Sequence, residues 1–167
     1  MNLAQFIFKH PAHFIAYGFG SGLSPIAPGT AGTLWAWLSY HYWLQSLGLY
    51  TWLTLLCIGF LVGWWACTVT ARHQNIADPS GIVWDEILAF WLILWLCTPQ
   101  SFTQQFFAFL LFRFFDAYKM GPVAWADQTF KGFGPRGGFG IIFDDLVAAF
   151  CTLLVISISR YMGMSWV

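Results

Sequence analysis

The acidic residues are the part of this sequence that could do chemistry. The chain has only seven Asp and Glu residues, and all of them lie between Asp78 and Asp145. Five fall into three groups beside apolar stretches, namely Asp85 with Glu86, Asp116, and Asp144 with Asp145. Carboxylates in apolar surroundings are destabilised unless a cation neutralises them, and their hard oxygens are the ligands that Mg²⁺ prefers. The sequence therefore predicts a magnesium site built from Asp85, Glu86, Asp116, Asp144 and Asp145.

The last group carries a geometric restriction. Adjacent residues of a helix diverge by about 100°, so Asp144 and Asp145 cannot bind one ion in the same way. We expect one carboxylate to bind metal directly and the other to orient a ligand or to serve a second ion. The glycine-rich run Gly137–Gly140 precedes this pair, and it is expected to form a turn that leads into the helix.

Basic residues near the acids could bind phosphate. Arg113, Asp116 and Lys119 recur every three residues, which places them on one flank of a helix. Salt bridges within that helix are one interpretation of the spacing. The other is a flank that faces a wet cavity, where Arg113 offers a planar fork to phosphate and Lys119 a point charge. Arg136 is a further candidate.

A loop rich in glycine, proline and hydroxyl side chains runs from Gly18 to Thr33. Its glycines let backbone N–H groups approach an anion, and the loop opens a helix whose N-terminus favours phosphate. Ser21, Thr30 and Thr33 could add hydrogen bonds. The loop matches neither the Walker pattern nor the dinucleotide-binding pattern, so tight turns at a membrane re-entry are an equally simple interpretation.

The elements that must position these residues are apolar. The chain has 167 residues, of which 59% are hydrophobic and only 8% charged, whereas ordinary soluble domains carry roughly 25% charged residues. Three long intervals have no charge: Lys9 to Arg72, Glu86 to Arg113, and Asp145 to Arg160. Because a charge at mid-bilayer costs at least ~2.5–3.5 kcal/mol, these intervals can cross lipid. The zero net charge gives no basic stripe for nucleic acid.

The charge-free intervals predict an all-α fold, a polytopic membrane helical bundle with about four to five membrane-embedded helices, some short or re-entrant. The apolar segments are Ala31–Leu47, Tyr50–Val69, Ile82–Cys97, Phe102–Phe115 and Ile141–Ile158. The third and fourth reach only about 24 and 21 Å, which suits a shallow hairpin. We expect a single domain over residues 1–167, with an interfacial arm and the Gly/Pro-rich loop in 1–30 and the helical bundle in 31–160.

The basic residues also predict a topology, since they favour the cytoplasmic side when they flank spans. If Lys9 is cytoplasmic, five crossings leave only Arg160 outside and bring all seven acids near the cytoplasmic face. Phosphoryl transfer or hydrolysis on a lipid head group suits such a site. A small ion or proton transporter is an alternative from another class, because intramembrane carboxylates also mark proton relays. Another lipid-phosphate phosphatase, or a phosphotransferase, is the alternative enzyme.

Four blocks of the sequence, in this order, resemble the motifs of the bacterial phosphatidylglycerophosphatase A family. The blocks are Gly20–Thr33, Ile82–Glu86, Phe112–Lys119 and Gly137–Asp145, and the resemblance covers about residues 14–150. The chain departs from the family at Met120-Gly121, where proline commonly follows the lysine, and at Ala89 and Ala149, where glycine is common. These departures concern a loop and helix packing rather than the carboxylates.

The resemblance implies a Mg²⁺-dependent, all-helical enzyme of the bacterial inner membrane, multi-pass, with its active site facing the cytoplasm. Its reaction would remove the terminal phosphate of phosphatidylglycerophosphate, giving phosphatidylglycerol and inorganic phosphate in glycerophospholipid biosynthesis. The five acids would be catalytic and metal-binding, and the residues expected to bind the substrate phosphate are Arg113, Lys119, Arg136, Ser21, Thr30 and Thr33. Its partners would be this lipid and membrane lipids, with no nucleic acid. Attack by water and an aspartyl-phosphate intermediate both remain open.

Overall fold

The computed structural model of the chain describes residues 3–99 and 101–163. Within these residues the regular secondary structure is helical and contains no strand, which confirms the predicted all-α class. The helices are α1 (Leu3–Ile7), α2 (Pro11–Ala16), α3 (Pro28–Ser39), α4 (Leu49–Gln74), α5 (Trp84–Cys97), α6 (Phe102–Tyr118), α7 (Pro122–Thr129) and α8 (Gly134–Tyr161). A 3₁₀ stretch (Gly18–Leu23) precedes α3, and a π-helical turn (Tyr40–Leu44) follows it.

Helix α5 is the centre of the bundle. It is apolar around most of its circumference, and it packs against α3, α4, α6 and α8. Ile87, Phe90, Ile93 and Leu94 are all fully buried. A helix that is hydrophobic on every side is stable only when other helices surround it, so α5 forms the core around which the other helices pack.

Within residues 3–99 and 101–163, two helices, α4 and α8, are long and apolar enough to cross a membrane. This is fewer than the four to five membrane-embedded helices predicted from the sequence. The segment predicted at Ala31–Leu47 is interrupted, because its α-helix ends at Ser39 and continues as the π-helical turn. Helices α3, α5 and α6 have 12, 14 and 17 residues, so they reach about 18, 21 and 26 Å, less than the ~30 Å hydrocarbon core.

The turn predicted at Gly137–Gly140 is wrong, since these glycines lie in the first two turns of α8. A Cβ on Gly138 would lie 2.8 Å from the backbone nitrogen of Thr68, and one on Gly140 would lie 2.8 Å from Cβ of Phe130. The glycines therefore allow α8 to pack closely against α4 and against the segment after α7. As a result, Asp144 and Asp145 lie nearly three turns inside the helix rather than near its start.

The N-terminal arm is docked on the bundle. Of the arm and loop predicted in residues 1–30, Met1 and Asn2 lie outside the described residues. Helix α2 buries Ala12, His13 and Ala16 and packs against α4, whereas Phe8 between α1 and α2 is 75% exposed. The backbone N–H of Val83 donates a hydrogen bond to the Ala16 carbonyl at 2.9 Å, which ties the arm to the residue before α5.

Candidate active site

A cavity of about 300 Å³ lies at one end of the bundle, where α3 and α5 begin and α6 ends. Its lining includes all five predicted acids and two of the predicted cations: Asp85, Glu86, Asp116, Asp144, Asp145, Arg113 and Lys119. Residues Ala27–Gly29, which are the N-cap and the first two residues of α3, complete one wall. First-turn N–H groups of a helix have no intrahelical acceptor, so the start of α3 brings backbone donors to a cavity crowded with charge.

Three of the acids form a cluster with metal-ligand spacing. Asp85, Glu86 and Asp145 each present one carboxylate oxygen, and these oxygens lie within 4.8 Å of one another. Opposite ligands of an octahedral Mg²⁺ ion are about 4.2 Å apart, given Mg–O bonds of about 2.0–2.1 Å. The spacing exceeds that distance by at most about 0.6 Å, so small movements of the side chains would bring these hard oxygen donors onto one such ion.

Capping of α5 does not satisfy the acids at its start. Acidic residues in a first turn interact favourably with the helix dipole, and Asp85 and Glu86 occupy that turn. Even so, Oδ1 of Asp85 and Oε2 of Glu86 are buried without a hydrogen-bond partner among the described residues, as are Oδ1 of Asp144 and Oδ2 of Asp145. Buried, unpartnered carboxylate oxygens are destabilising, and a bound cation would remove that cost.

Asp144 and Asp145 face different partners, as the 100° divergence of adjacent helical residues requires. Asp145 joins the three-carboxylate cluster, whereas Oδ2 of Asp144 accepts a hydrogen bond from Nζ of Lys119 at 2.7 Å. The same Nζ donates to Oδ1 of Asp127 on α7 at 2.5 Å. Lys119 is thus a cation held between two carboxylates at the edge of the cavity.

The charges around Lys119 perturb one another. Partial burial opposes protonation of Lys119, but the carboxylates of Asp144 and Asp127 outweigh it and raise the pKa of Lys119 well above its ordinary value. Partial burial would raise the pKa of Asp127, but the hydrogen bond from Lys119 and its charge hold that pKa below its ordinary value. Both groups are therefore charged at neutral pH.

Lys119 does not continue the helical flank predicted from the spacing. It caps the C-terminus of α6 in the left-handed conformation, with φ 42°, and this turns its side chain towards α7 and α8. Asp127, which holds it there, was missed by the sequence analysis. Asp127 lies eight positions after Lys119, beyond a reversal of the chain, so no helical spacing predicts their contact.

Arg113 supports both interpretations of its spacing. It forms the intrahelical ion pair with Asp116, and its Nη1 also lies 3.8 Å from Oε1 of Glu86 and 3.4 Å from Oγ1 of Thr33. The guanidinium thus connects α6 to α5 and α3. Asp116 lines the cavity but lies outside the three-carboxylate cluster.

Other predicted phosphate ligands lie elsewhere. Oγ of Ser21 donates to the Gly18 carbonyl at 2.8 Å, and Nη2 of Arg136 donates to the Thr129 carbonyl at 2.8 Å; neither residue, nor Thr30, lines this cavity. Thr33 is fully buried behind Arg113. The structure therefore does not bring Ser21, Thr30 or Arg136 to the acids, and the loop contributes Ala27–Gly29 instead.

Gly29 is a site residue that the sequence analysis did not single out. A Cβ at this position would overlap the carboxylate of Glu86 and lie 3.2 Å from Nη2 of Arg113. The absence of a side chain lets the first turn of α3 approach these two charged groups. A glycine directly after the proline that begins α3 was the available signal.

Comparison with known proteins shows the family of the chain. The sequence model of the family Phosphatidylglycerophosphatase A matches residues 14–160. The chain is 33% identical to the Phosphatidylglycerophosphatase A of Escherichia coli over 95% of this chain and 87% of that protein. It is 35% identical to the Phosphatidylglycerophosphatase A of Haemophilus influenzae over 91% of this chain and 90% of that protein.

A third relative, from Bacteroides thetaiotaomicron, carries the provisional name phosphatidylinositol-3-phosphatase. It is 34% identical over 88% of this chain and 92% of its own length. No solved structure matches the chain. The family match and the two named relatives confirm the resemblance seen in the sequence, and this chain belongs to the phosphatidylglycerophosphatase A family of phosphatases.

Proposed function

We propose that this protein hydrolyses the terminal phosphomonoester of phosphatidylglycerophosphate, releasing phosphatidylglycerol and inorganic phosphate in glycerophospholipid biosynthesis. The observation that carries the proposal is the cavity in which three clustered carboxylates face two cations at the end of an apolar bundle. Two relatives are named for this lipid, and a third for phosphatidylinositol 3-phosphate. Both substrates have a phosphomonoester on a polyol that a phosphodiester joins to diacylglycerol.

The donor set fits Mg²⁺. Asp85, Glu86 and Asp145 would hold the ion, since their oxygens converge and some of them have no other partner. Asp116 and Asp144, the remaining predicted ligands, lie on the same cavity and are placed to bind through water or to serve a second ion. When bound, Mg²⁺ supplies charge that polarises the phosphoryl group and lowers the pKa of the attacking water.

The cations of the chain bind the phosphate. Arg113, held by Asp116, presents its guanidinium on one side, and Lys119, held by Asp144 and Asp127, presents its ammonium on the other. Together they offset the charge of a phosphomonoester that the acids alone would repel. Backbone N–H groups at the start of α3 add donors to the phosphoryl oxygens.

Asp144 is placed to orient the attacking water. Its Oδ2 is fixed by Lys119, while its Oδ1 is buried and unpartnered, so Oδ1 can accept a hydrogen bond from water. Asp144 accepts a proton from the water as the water oxygen bonds to phosphorus and the bond from phosphorus to the glycerol oxygen breaks. Because the attacking and leaving oxygens lie on opposite sides of phosphorus, a proton from solvent completes the glycerol hydroxyl, and Asp144 returns its own proton to solvent.

We further propose a multi-pass protein of the bacterial inner membrane with this cavity at the cytoplasmic face. The cavity end of the bundle carries Arg113 and Lys119, and basic residues flank spans preferentially on the cytoplasmic side. Arg160 lies at the opposite end, where its Nη2 donates to the Cys97 carbonyl at 2.7 Å. Convergence of the acids at one end argues against a proton relay, which would distribute acids across the bilayer.

The test is release of phosphate from phosphatidylglycerophosphate by the purified protein, with Mg²⁺ and with chelator. We expect Mg²⁺-dependent release that Asp145→Asn, Asp116→Asn and Asp144→Asn reduce to background. Asp127→Asn should lose about tenfold or less in activity, because Asp127 pairs with Lys119 but lies outside the cavity lining. Chelator-resistant release, or near-normal turnover in Asp145→Asn, would overturn the site. Release from other lipid phosphates alone would overturn the substrate.

A further inference from the structure

A second cavity, of about 750 Å³, adjoins the acid cavity. The two share a wall formed by Pro28 and Asp78–Ser80. The remaining lining of the second cavity includes Tyr17, His73 and Gln74, with Leu3, Phe6 and Ile76 among its apolar residues. Its volume is in the range of about 300–1,000 Å³ typical of small-molecule sites.

His73 is the exposed member of a histidine pair at this second cavity. Its Nδ1 lies 2.9 Å from Nε2 of His13, and Nδ1 of His13 lies 3.0 Å from the Phe6 carbonyl oxygen. His13 is only 3% exposed. The pair therefore forms a chain of hydrogen bonds from a backbone carbonyl inside the arm to a ring at the cavity.

The proton positions in this chain follow from its buried end. A carbonyl oxygen only accepts, so Nδ1 of His13 carries the proton. Burial lowers the pKa of His13, and the neighbouring His73 and His10 lower it further, whereas the hydrogen bond to the Phe6 carbonyl raises it. His13 is thus neutral, its Nε2 is an acceptor, and Nδ1 of His73 donates to it. The nitrogen of the pair that is left without a proton is Nε2 of His73, so a hydrogen bond from this ring to an anion requires a proton at that atom.

The surroundings of His73 contain three other titratable groups. His10 lies 5.7 Å away between ring centroids, and its Nδ1 accepts from the backbone N–H of Ala12. The Tyr17 hydroxyl accepts from Nε2 of Gln74 at 2.6 Å. Asp78 lies on the wall shared with the acid cavity.

We propose that the second cavity binds the glycerol and phosphodiester of the lipid head group, with Nε2 of His73 donating a hydrogen bond to the phosphodiester. The proposal rests on the proposed function and deepens it, because it assigns the part of the substrate that the acid cavity does not hold. Binding of the anion brings one proton to His73. A lipid whose phosphomonoester is attached directly to diacylglycerol, such as phosphatidic acid, leaves this subsite unfilled, so His73 favours substrates with a phosphodiester.

The direct test is binding of short-chain phosphatidylglycerol, the product without its terminal phosphate, to the full-length protein in detergent. Titration calorimetry should show about tenfold weaker binding to His73→Gln, the scale of one hydrogen bond to a charged group. The matched control is His41→Gln, an exposed histidine in the π-helical turn beyond α3, with wild-type affinity. In buffers of different ionisation enthalpy, wild type should take up a proton on binding and His73→Gln should not.

Kinetics provide the second readout. His73→Gln should raise KM for phosphatidylglycerophosphate about tenfold with kcat unchanged, and should leave hydrolysis of phosphatidic acid unaltered. Equal affinity of wild type and His73→Gln for phosphatidylglycerol would overturn the subsite, whatever the activity of either protein. Failure of the wild type to hydrolyse phosphatidylglycerophosphate would instead overturn the proposed function, while the binding difference would still support the subsite.

Discussion

Gly29→Ala should change the geometry of the site without destabilising the fold. Gly29 lies in the first turn of α3 with an ordinary negative φ, so the backbone accepts alanine. In a helix, alanine is favoured over glycine by about 0.5–1 kcal/mol. The new Cβ, however, would overlap the Glu86 carboxylate and lie 3.1 Å from its Cδ and 3.2 Å from Nη2 of Arg113.

The collision is with the end of a flexible side chain, so the fold can relieve it by moving the carboxylate of Glu86. A displacement of about 1 Å at a reacting centre costs on the order of 100-fold in rate. We therefore expect kcat/KM to fall about 100-fold, with a melting temperature equal to that of the wild type or raised by up to roughly 2–4 °C.

Both quantities should be measured on the same detergent-purified protein, as Mg²⁺-dependent phosphate release and as thermal unfolding. Gly48→Ala is the control, since a Cβ at Gly48, the residue before α4, meets nothing within 4 Å; its activity should be unchanged. Wild-type activity in Gly29→Ala would show that the positions of Glu86 and Arg113 do not govern the reaction. A Gly29→Ala protein that fails to fold would show that more than one carboxylate has to move.

The remaining predictions concern ionisable side chains. In chelator, Asp145→Asn should match or exceed the wild-type melting temperature, because the substitution removes one of several crowded carboxylates. The variant should lose the stabilisation that Mg²⁺ gives the wild type, which is about 2.7 kcal/mol at 100 times Kd. An equal rise in melting temperature with Mg²⁺ in both proteins would contradict the metal cluster. Lys119→Met should lower kcat/KM about 100-fold. Asp127→Asn should lower it about tenfold or less, since Lys119 retains its ion pair with Asp144 in that variant. A larger loss of phosphate release in Asp127→Asn than in Lys119→Met would contradict the role of Lys119. Burial lowers the pKa of His13, so the contribution of neutral His13 to stability is complete above the unfolded pKa of about 6.5 and is lost as the pH falls towards the folded pKa. The melting temperature should therefore fall more steeply between about pH 7 and 5.5 in wild type than in His13→Gln. Parallel curves of melting temperature against pH would refute this prediction.

The composition alone determined that the chain is helical and apolar. The two longest charge-free intervals exceed a bilayer span, which leaves few ways to satisfy backbone hydrogen bonds in lipid except within helices. Helices α4, α5, α6 and α8 overlap four of the predicted apolar segments. The acids were also identifiable as the chemical groups, since carboxylates beside apolar runs require a neutralising partner. The 100° between adjacent helical residues was enough to predict that Asp144 and Asp145 face different partners.

Helix lengths and helix ends were beyond the sequence. The π-helical turn after Ser39 and the helical glycines at Gly137–Gly140 depend on close packing against other helices, and local propensity at a glycine favours a turn instead. The predicted number of membrane-embedded helices was too high, and the turn predicted before Asp144 was wrong. Both errors arose because each segment was interpreted without its neighbours in the fold.

The partners of each side chain were decided by the tertiary structure alone. Arg113 meets Glu86 and Thr33, Lys119 meets Asp127 and Asp144, and His13 meets His73 across 60 positions. Residue types and local spacing specify what a side chain can do, whereas contacts between distant segments depend on how whole helices pack. The sequence therefore determined which groups could act, and only the packing of α3, α5, α6 and α8 decided which of them act together.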